Sequence, residues 1–197
     1  MKARKVKHLD PDGTLADNAQ RVVSVRLDEL FDFVPAVLDP KSVKKLHAMR
    51  IAAKRLRYVL EVAAANCFGP YALTATKRVR ELQDLLGEIH DCDIQLPRVQ
   101  RIRVELSDEA VAELRTRAAG AADLDPALAS GLPHSEDWAG LAALEHYLTV
   151  RRGLLYDQFT TVWRDIERSA MRARLEYAIA ERPSIGGEQA ESSVTIR

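Results

Sequence analysis

Apolar residues recur along most of this chain at intervals of three and four, the period that lines one side of an α-helix. Leu15, Val22, Val23, Leu27, Leu30, Phe31, Val34 and Leu38 keep that rhythm, so a first helix is predicted from about Thr14 to Leu38, closed by Asp39-Pro40. Ser42 is the candidate N-cap of a second helix reaching about Cys67, which Gly69-Pro70 ends. A third is expected from about Tyr71 to Ile89, on the apolar line Val79, Leu82, Leu85, Leu86 and Ile89. Asp91 or Asp93 would cap a fourth running towards Leu106, and Ser107-Asp108 would open a short fifth. Between Ala121 and Asp137 two prolines, a glycine and polar residues replace the pattern, which puts the main internal boundary there. The helical period returns from Trp138 to about Arg182, with Gly153 or Ser169 as candidate breaks. Residues 1–13 read as a flexible N-terminus, and residues 183–197 carry too little apolar content to pack and read as a disordered tail. The expected fold class is all-α, with one helical domain over 14–182 whose first half covers about 14–120 and whose second covers 138–182.

Charge narrows the candidate functions. Lys plus Arg and Asp plus Glu both number 29, so no whole-molecule positive field gathers nucleic acid, and any polyanion site is a local patch. The basic start MKARKVKHLDPDG has no apolar stretch after it and does not read as a secretory signal. No run approaches the roughly 18 apolar residues of a membrane span. A reducing, cytoplasmic setting is expected, with Cys67 and Cys92 as free thiols.

The stretch KSVKKLHAMRIAAKRLRYVLE changes the picture most. At 100° per residue, His47, Arg50, Lys54, Arg57 and Glu61 fall within an arc of roughly 80°, and Leu46, Met49, Ala53, Leu56, Val59, Leu60 and Ala63 occupy a separate arc of roughly 140°. The basic stripe repeats about every 5 to 6 Å along the axis, close to the spacing of phosphates in an extended chain. Like charges so placed repel, so an anion is expected over them. Glu61, Asp84 and Glu88 could instead supply that negative charge and make the stripe ordinary solvated surface. Against this, four basic residues face one acid on the stripe, and the third helix adds Lys77 and Arg80 off its apolar line. Helices joined by the short Phe68-Gly69-Pro70 turn are neighbours, so their basic sides are expected to line one groove. Arginine suits it, because its planar fork holds two phosphate oxygens at once.

The run from His47 to Tyr58, HAMRIAAKRLRY, followed by Leu82 to Asp93, LQDLLGEIHDCD, resembles the conserved histidine α-helical domain (CHAD) family. The resemblance is specific over about 14–105 and weaker over 138–182. It implies a helical bundle of two related halves around a basic groove or pore that binds inorganic polyphosphate without catalysis or cofactor. Matched to the motif, His47, Arg50, Lys54 and Arg57 take that role, with Lys44, Arg55, Lys77 and Arg80 behind them. The second half holds no second copy of the His-x-x-Arg-x-x-x-Lys pattern. Arg152 nevertheless falls on the apolar line Leu141, Leu148, Leu155, Phe159 and Trp163, so it either pairs with a carboxylate or faces the anion, and Arg26 raises the same question. Arg151 stands beside it as a further candidate.

Two other functions use the same residues. His90, Asp91 and Asp93 with His47 resemble the ligand set of a metal-dependent phosphohydrolase, although only His134 and His146 could complete it and no metal is expected. Nucleic acid would also engage the basic stripe, but aromatics make up 6% of the chain and most fall on apolar lines, leaving little to stack bases. A scaffold for intracellular polyphosphate granules fits the family resemblance as well.

Overall fold

The computed structural model describes residues 2–181. Five α-helices run through them: α1 Leu15–Phe31, α2 Val43–Ala63, α3 Pro70–Arg117, α4 Ser135–Arg168 and α5 Met171–Glu181. No strand is present among the described residues, so the chain is all-α. None of these helices is long and apolar enough to cross a membrane. Arg182 and the expected tail 183–197 lie outside the described residues.

The side chain of Thr14 accepts the Asp17 N–H at 3.1 Å and so caps α1. The helix ends at Phe31, seven residues before the predicted Leu38. Pro35 explains the early stop, because it lacks an N–H and steers Val34 away from helical backbone. The periodic residues beyond it continue only as a 3₁₀ turn, Ala36–Leu38, in which Val37 is fully buried. On α2 the predicted apolar arc is the buried one: Leu46, Met49, Ala53, Leu56, Leu60 and Ala63 are all at most 2% exposed. A π-helical turn, Ala64–Phe68, follows, and Gly69 at φ 75° makes the reversal into α3 in a backbone region open to glycine.

α3 corrects the largest sequence expectation, since the third, fourth and fifth predicted helices are one helix of 48 residues. Buried Leu82, Leu86, Ile89, Cys92 and Val99, with half-buried Leu96, hold a three- and four-residue spacing straight through the proposed caps. Asp91, Asp93 and Ser107 are therefore interior helical residues, and Pro97 is carried within the helix on its exposed side. The loop between α3 and α4 falls where expected and holds a short 3₁₀ turn, Pro126–Ala129. The break between α4 and α5 is at Ser169-Ala170, with Ala170 at φ 50°, whereas Gly153 lies inside α4.

The described fold divides into two compact units, each discontinuous in sequence. Of the described residues, the first comprises 2–32, Ala52–Arg80 and 166–181, and the second Phe33–Ile51 and Glu81–Asp165. The first buries Val23, Leu27 and Leu30 of α1, Leu56 and Leu60 of α2, Val79 of α3, and Leu175 and Ile179 of α5. In the second, Cys92, Val99 and Leu148 form a core cluster against which Leu96, Leu141 and Leu155 pack. There the buried Tyr156 hydroxyl donates to the Val37 carbonyl at 3.0 Å and ties the 3₁₀ turn to α4. Cys67 and Cys92 are free thiols, the latter buried.

Candidate anion-binding residues

In the second unit, His47 on α2 lies against His90 on α3, with ring centroids 4.2 Å apart and planes tilted by 30°. Burial, then the neighbouring His90 and Arg50 charges, pull the His47 pKa below its ordinary value. His47 is therefore neutral at pH 7 and adds a donor or acceptor to the stripe, not a charge. Its Nδ1 is buried and has no hydrogen-bond partner among the described residues. One turn on, the Nε of Arg50 is likewise buried and without a partner. Gly87 on α3 lies under it: a Cβ there would sit 3.6 Å from Arg50 Nε. Arg50 forms no ion pair among the described residues, and neither does Lys44, which is exposed at the start of α2.

The two second-unit arginines left open by the sequence are both paired. Arg152 Nε donates to Asp93 at 2.5 Å and its Nη2 to the Pro40 carbonyl at 2.8 Å, with both side chains largely buried. Arg151 engages Glu88 and points a second nitrogen at the Cys92 sulfur, 3.8 Å away. Glu88, one of the acids considered as a partner for the basic stripe, here serves α4. Of the possible metal ligands, His134 sits between Asp137 at 3.1 Å and Glu109 at 3.4 Å, and His146 is exposed. Among the described residues no group of three or more His, Cys, Asp or Glu side chains converges as a metal site would require.

In the first unit, one carboxylate oxygen of Glu61 accepts from Arg57 Nε at 2.8 Å and from Arg80 Nη2 at 2.6 Å. Those hydrogen bonds, Arg57 first, hold the Glu61 carboxyl below the usual range. The partner foreseen for an ordinary solvated surface is thus present, and it fixes two of the candidate arginines side by side. Exposed Lys54 lies with its Nζ 5.6 Å from the Tyr58 ring centroid, and Arg57 flanks the same ring at 6.0 Å. Exposed Lys77 and Lys54 form no ion pair among the described residues.

Arg26 and Arg55 belong to a different feature, which the sequence did not reveal. Glu29 is 4% exposed and accepts from Arg26 Nη1 at 2.7 Å, while Arg55 Nη1 stands 3.9 Å away. The Arg4 backbone N–H also donates to it. A carboxylate this deep needs cationic partners, so both arginines have a structural role here. The available signal was the i,i+3 spacing of Arg26 and Glu29, which is too common on helices to single out a buried acid.

The family model of the CHAD domain matches residues 2–100, just over half of the 197-residue chain. No curated protein and no solved structure matches it.

Proposed function

The chain belongs to the CHAD domain family, and on that premise we propose that it binds inorganic polyphosphate without hydrolysing it, through the basic side of α2 with Arg50 as the anchor. The observation that carries this is the state of Arg50: among the described residues a guanidinium nitrogen is buried without a hydrogen-bond partner, and no carboxylate pairs with the group. Leaving such a donor unmade costs about 1–3 kcal/mol, and a phosphate oxygen is the acceptor it lacks. Lys44, Lys54 and Lys77 add mobile, exposed charges that follow a flexible polymer. Arg57 and Arg80 are held in fixed orientations by Glu61, and Arg80 gives only one of its five N–H donors to that contact. His47 offers a neutral ring to the same polymer. Arg26, Arg55, Arg151 and Arg152 are occupied with buried or interhelical carboxylates and are not assigned to the polymer. The cytoplasm, with its polyphosphate granules, is the setting proposed for this activity.

Titration with long-chain polyphosphate, orthophosphate and single-stranded DNA at two salt concentrations tests the proposal. Polyphosphate binds most tightly and weakens steeply with salt, because each neutralised phosphate releases a condensed counterion. Orthophosphate, which spans one cation of the stripe, binds far more weakly, and no orthophosphate is released from the polymer with magnesium or manganese present. Equal affinity for DNA, or metal-dependent release lost in a His90→Ala, Asp91→Ala double variant, would overturn it.

A further inference from the structure

The N-terminal segment of the first unit is fastened to α1 at two points. At one end the Arg4 backbone N–H donates to Glu29 and the Arg4 guanidinium reaches Asp32. At the other, the Asp10 N–H donates to Asn18 Oδ1 at 2.9 Å and Asn18 Nδ2 returns a bond to the Asp10 carbonyl at 2.7 Å. The chain between these ties runs along α1, with Val6 half-buried and Lys5, Lys7 and His8 exposed. His8 turns the backbone through φ 59°, a left-handed conformation uncommon outside glycine. Lys5, Lys7 and His8 meet Arg21 of α1 around a pocket of about 500 Å³.

Among the described residues no acidic side chain lines that pocket. Lys5, Lys7 and His8 form no ion pair among the described residues, and Arg21 Nη1 has only Asn18 Oδ1 at 3.5 Å, the limit of a hydrogen bond. Three positive charges and an imidazole gather around this one concavity, and an anion among them would relieve their mutual repulsion. A pocket of about 500 Å³ has room for more than one phosphate group, and apart from His8 no aromatic ring lines it among the described residues to stack a base. We propose that this pocket is a second phosphate site, separate from α2, that takes two or more linked phosphate groups, either as a free short oligophosphate or as the end of a longer chain. It shares no residue with the α2 face and stands independently of the function proposed there.

Calorimetric titration of the full chain with pyrophosphate tests it. A Lys5→Gln, Lys7→Gln, Arg21→Gln variant loses affinity by about tenfold or more, since three charge-assisted contacts go. A Lys5→Arg, Lys7→Arg variant, which keeps the charges, retains affinity, and this separates a binding role from a folding defect. The same triple substitution made in an Arg50→Gln background lowers pyrophosphate affinity by a similar factor, so failure at α2 and failure here are distinguishable. A triple-variant loss confined to pyrophosphate identifies free short phosphates as the ligand, and an equal loss for long polyphosphate identifies chain ends. Wild-type protein that does not bind pyrophosphate, or a triple variant that binds it as tightly as wild type, would overturn the proposal.

Discussion

A carboxylate buried as deeply as that of Glu29 is held there by the groups around it, Arg26, Arg55 and the Arg4 backbone N–H. Replacing it with alanine leaves positive charge facing a site from which water is excluded. Glu29→Ala is therefore expected to destabilise the protein by about 3–5 kcal/mol, which lowers the melting temperature by roughly 6 °C or more in a chain of this size. A thermal melt checks this, and an unchanged midpoint would mean the cluster is not structural. His47 contributes in a different way. Because burial lowers its folded pKa below the ordinary 6.5, the unfolded chain takes up the proton first. The stabilising contribution of the neutral ring is complete above that ordinary value and is lost as pH falls through it towards the lower folded one. His47→Gln cannot take up that proton, so its melting temperature falls less between pH 7 and pH 5 than that of wild type. Equal slopes for the two proteins would contradict this. At the residue scale the candidates were legible where chemistry is local: the stripe His47, Arg50, Lys54 and Arg57 follows from spacing on one helix. The partners of Arg152 and Arg55 were not, because Asp93 and Glu29 come from distant positions in the chain.

Helix α3 carries its burial unevenly. From Leu82 to Val99 its apolar line is packed, but no residue between Val99 and Leu148 is buried. The last turns of α3, the connecting loop and the first turns of α4 rest on exposed backbone hydrogen bonds with few polar ties, such as that of Arg103 to Glu145. Low burial means low local opening free energy. Hydrogen exchange is expected to be fastest across residues 104–134 and slow over 79–99 of the same helix. Uniform protection along all of α3 would contradict it. This helix also shows why element boundaries escaped the sequence. An aspartate is a good cap when its helix starts there, yet Asp93 lies inside a helix and serves as the buried partner of Arg152. The deciding fact is a residue 59 positions away, and no local pattern contains it. The face of α2 was legible for the opposite reason, since a two-faced helix of 21 residues states its orientation in its own periodicity.

With 29 basic and 29 acidic residues, the molecule has no net charge to attract a polyanion, so binding has to arise from where the cations are left unpaired. All-α character was evident from the sequence because the three- and four-residue period persists along most of the chain. The division into two units was not, since each is assembled from separate stretches and only tertiary contacts define it. The proposed function depends on Arg50 being an unsatisfied cation that an anion completes. Thermal melts of wild type and Arg50→Gln, each with and without long-chain polyphosphate, test that most directly. Ligand at a hundredfold excess over Kd stabilises the wild type by about 2.7 kcal/mol if only the folded state binds. The variant is expected to melt at or above the wild-type temperature without ligand and to lose more than half of the ligand-induced rise. A variant that melts clearly lower on its own while keeping the full rise would show that Arg50 holds the fold and that the polymer binds elsewhere.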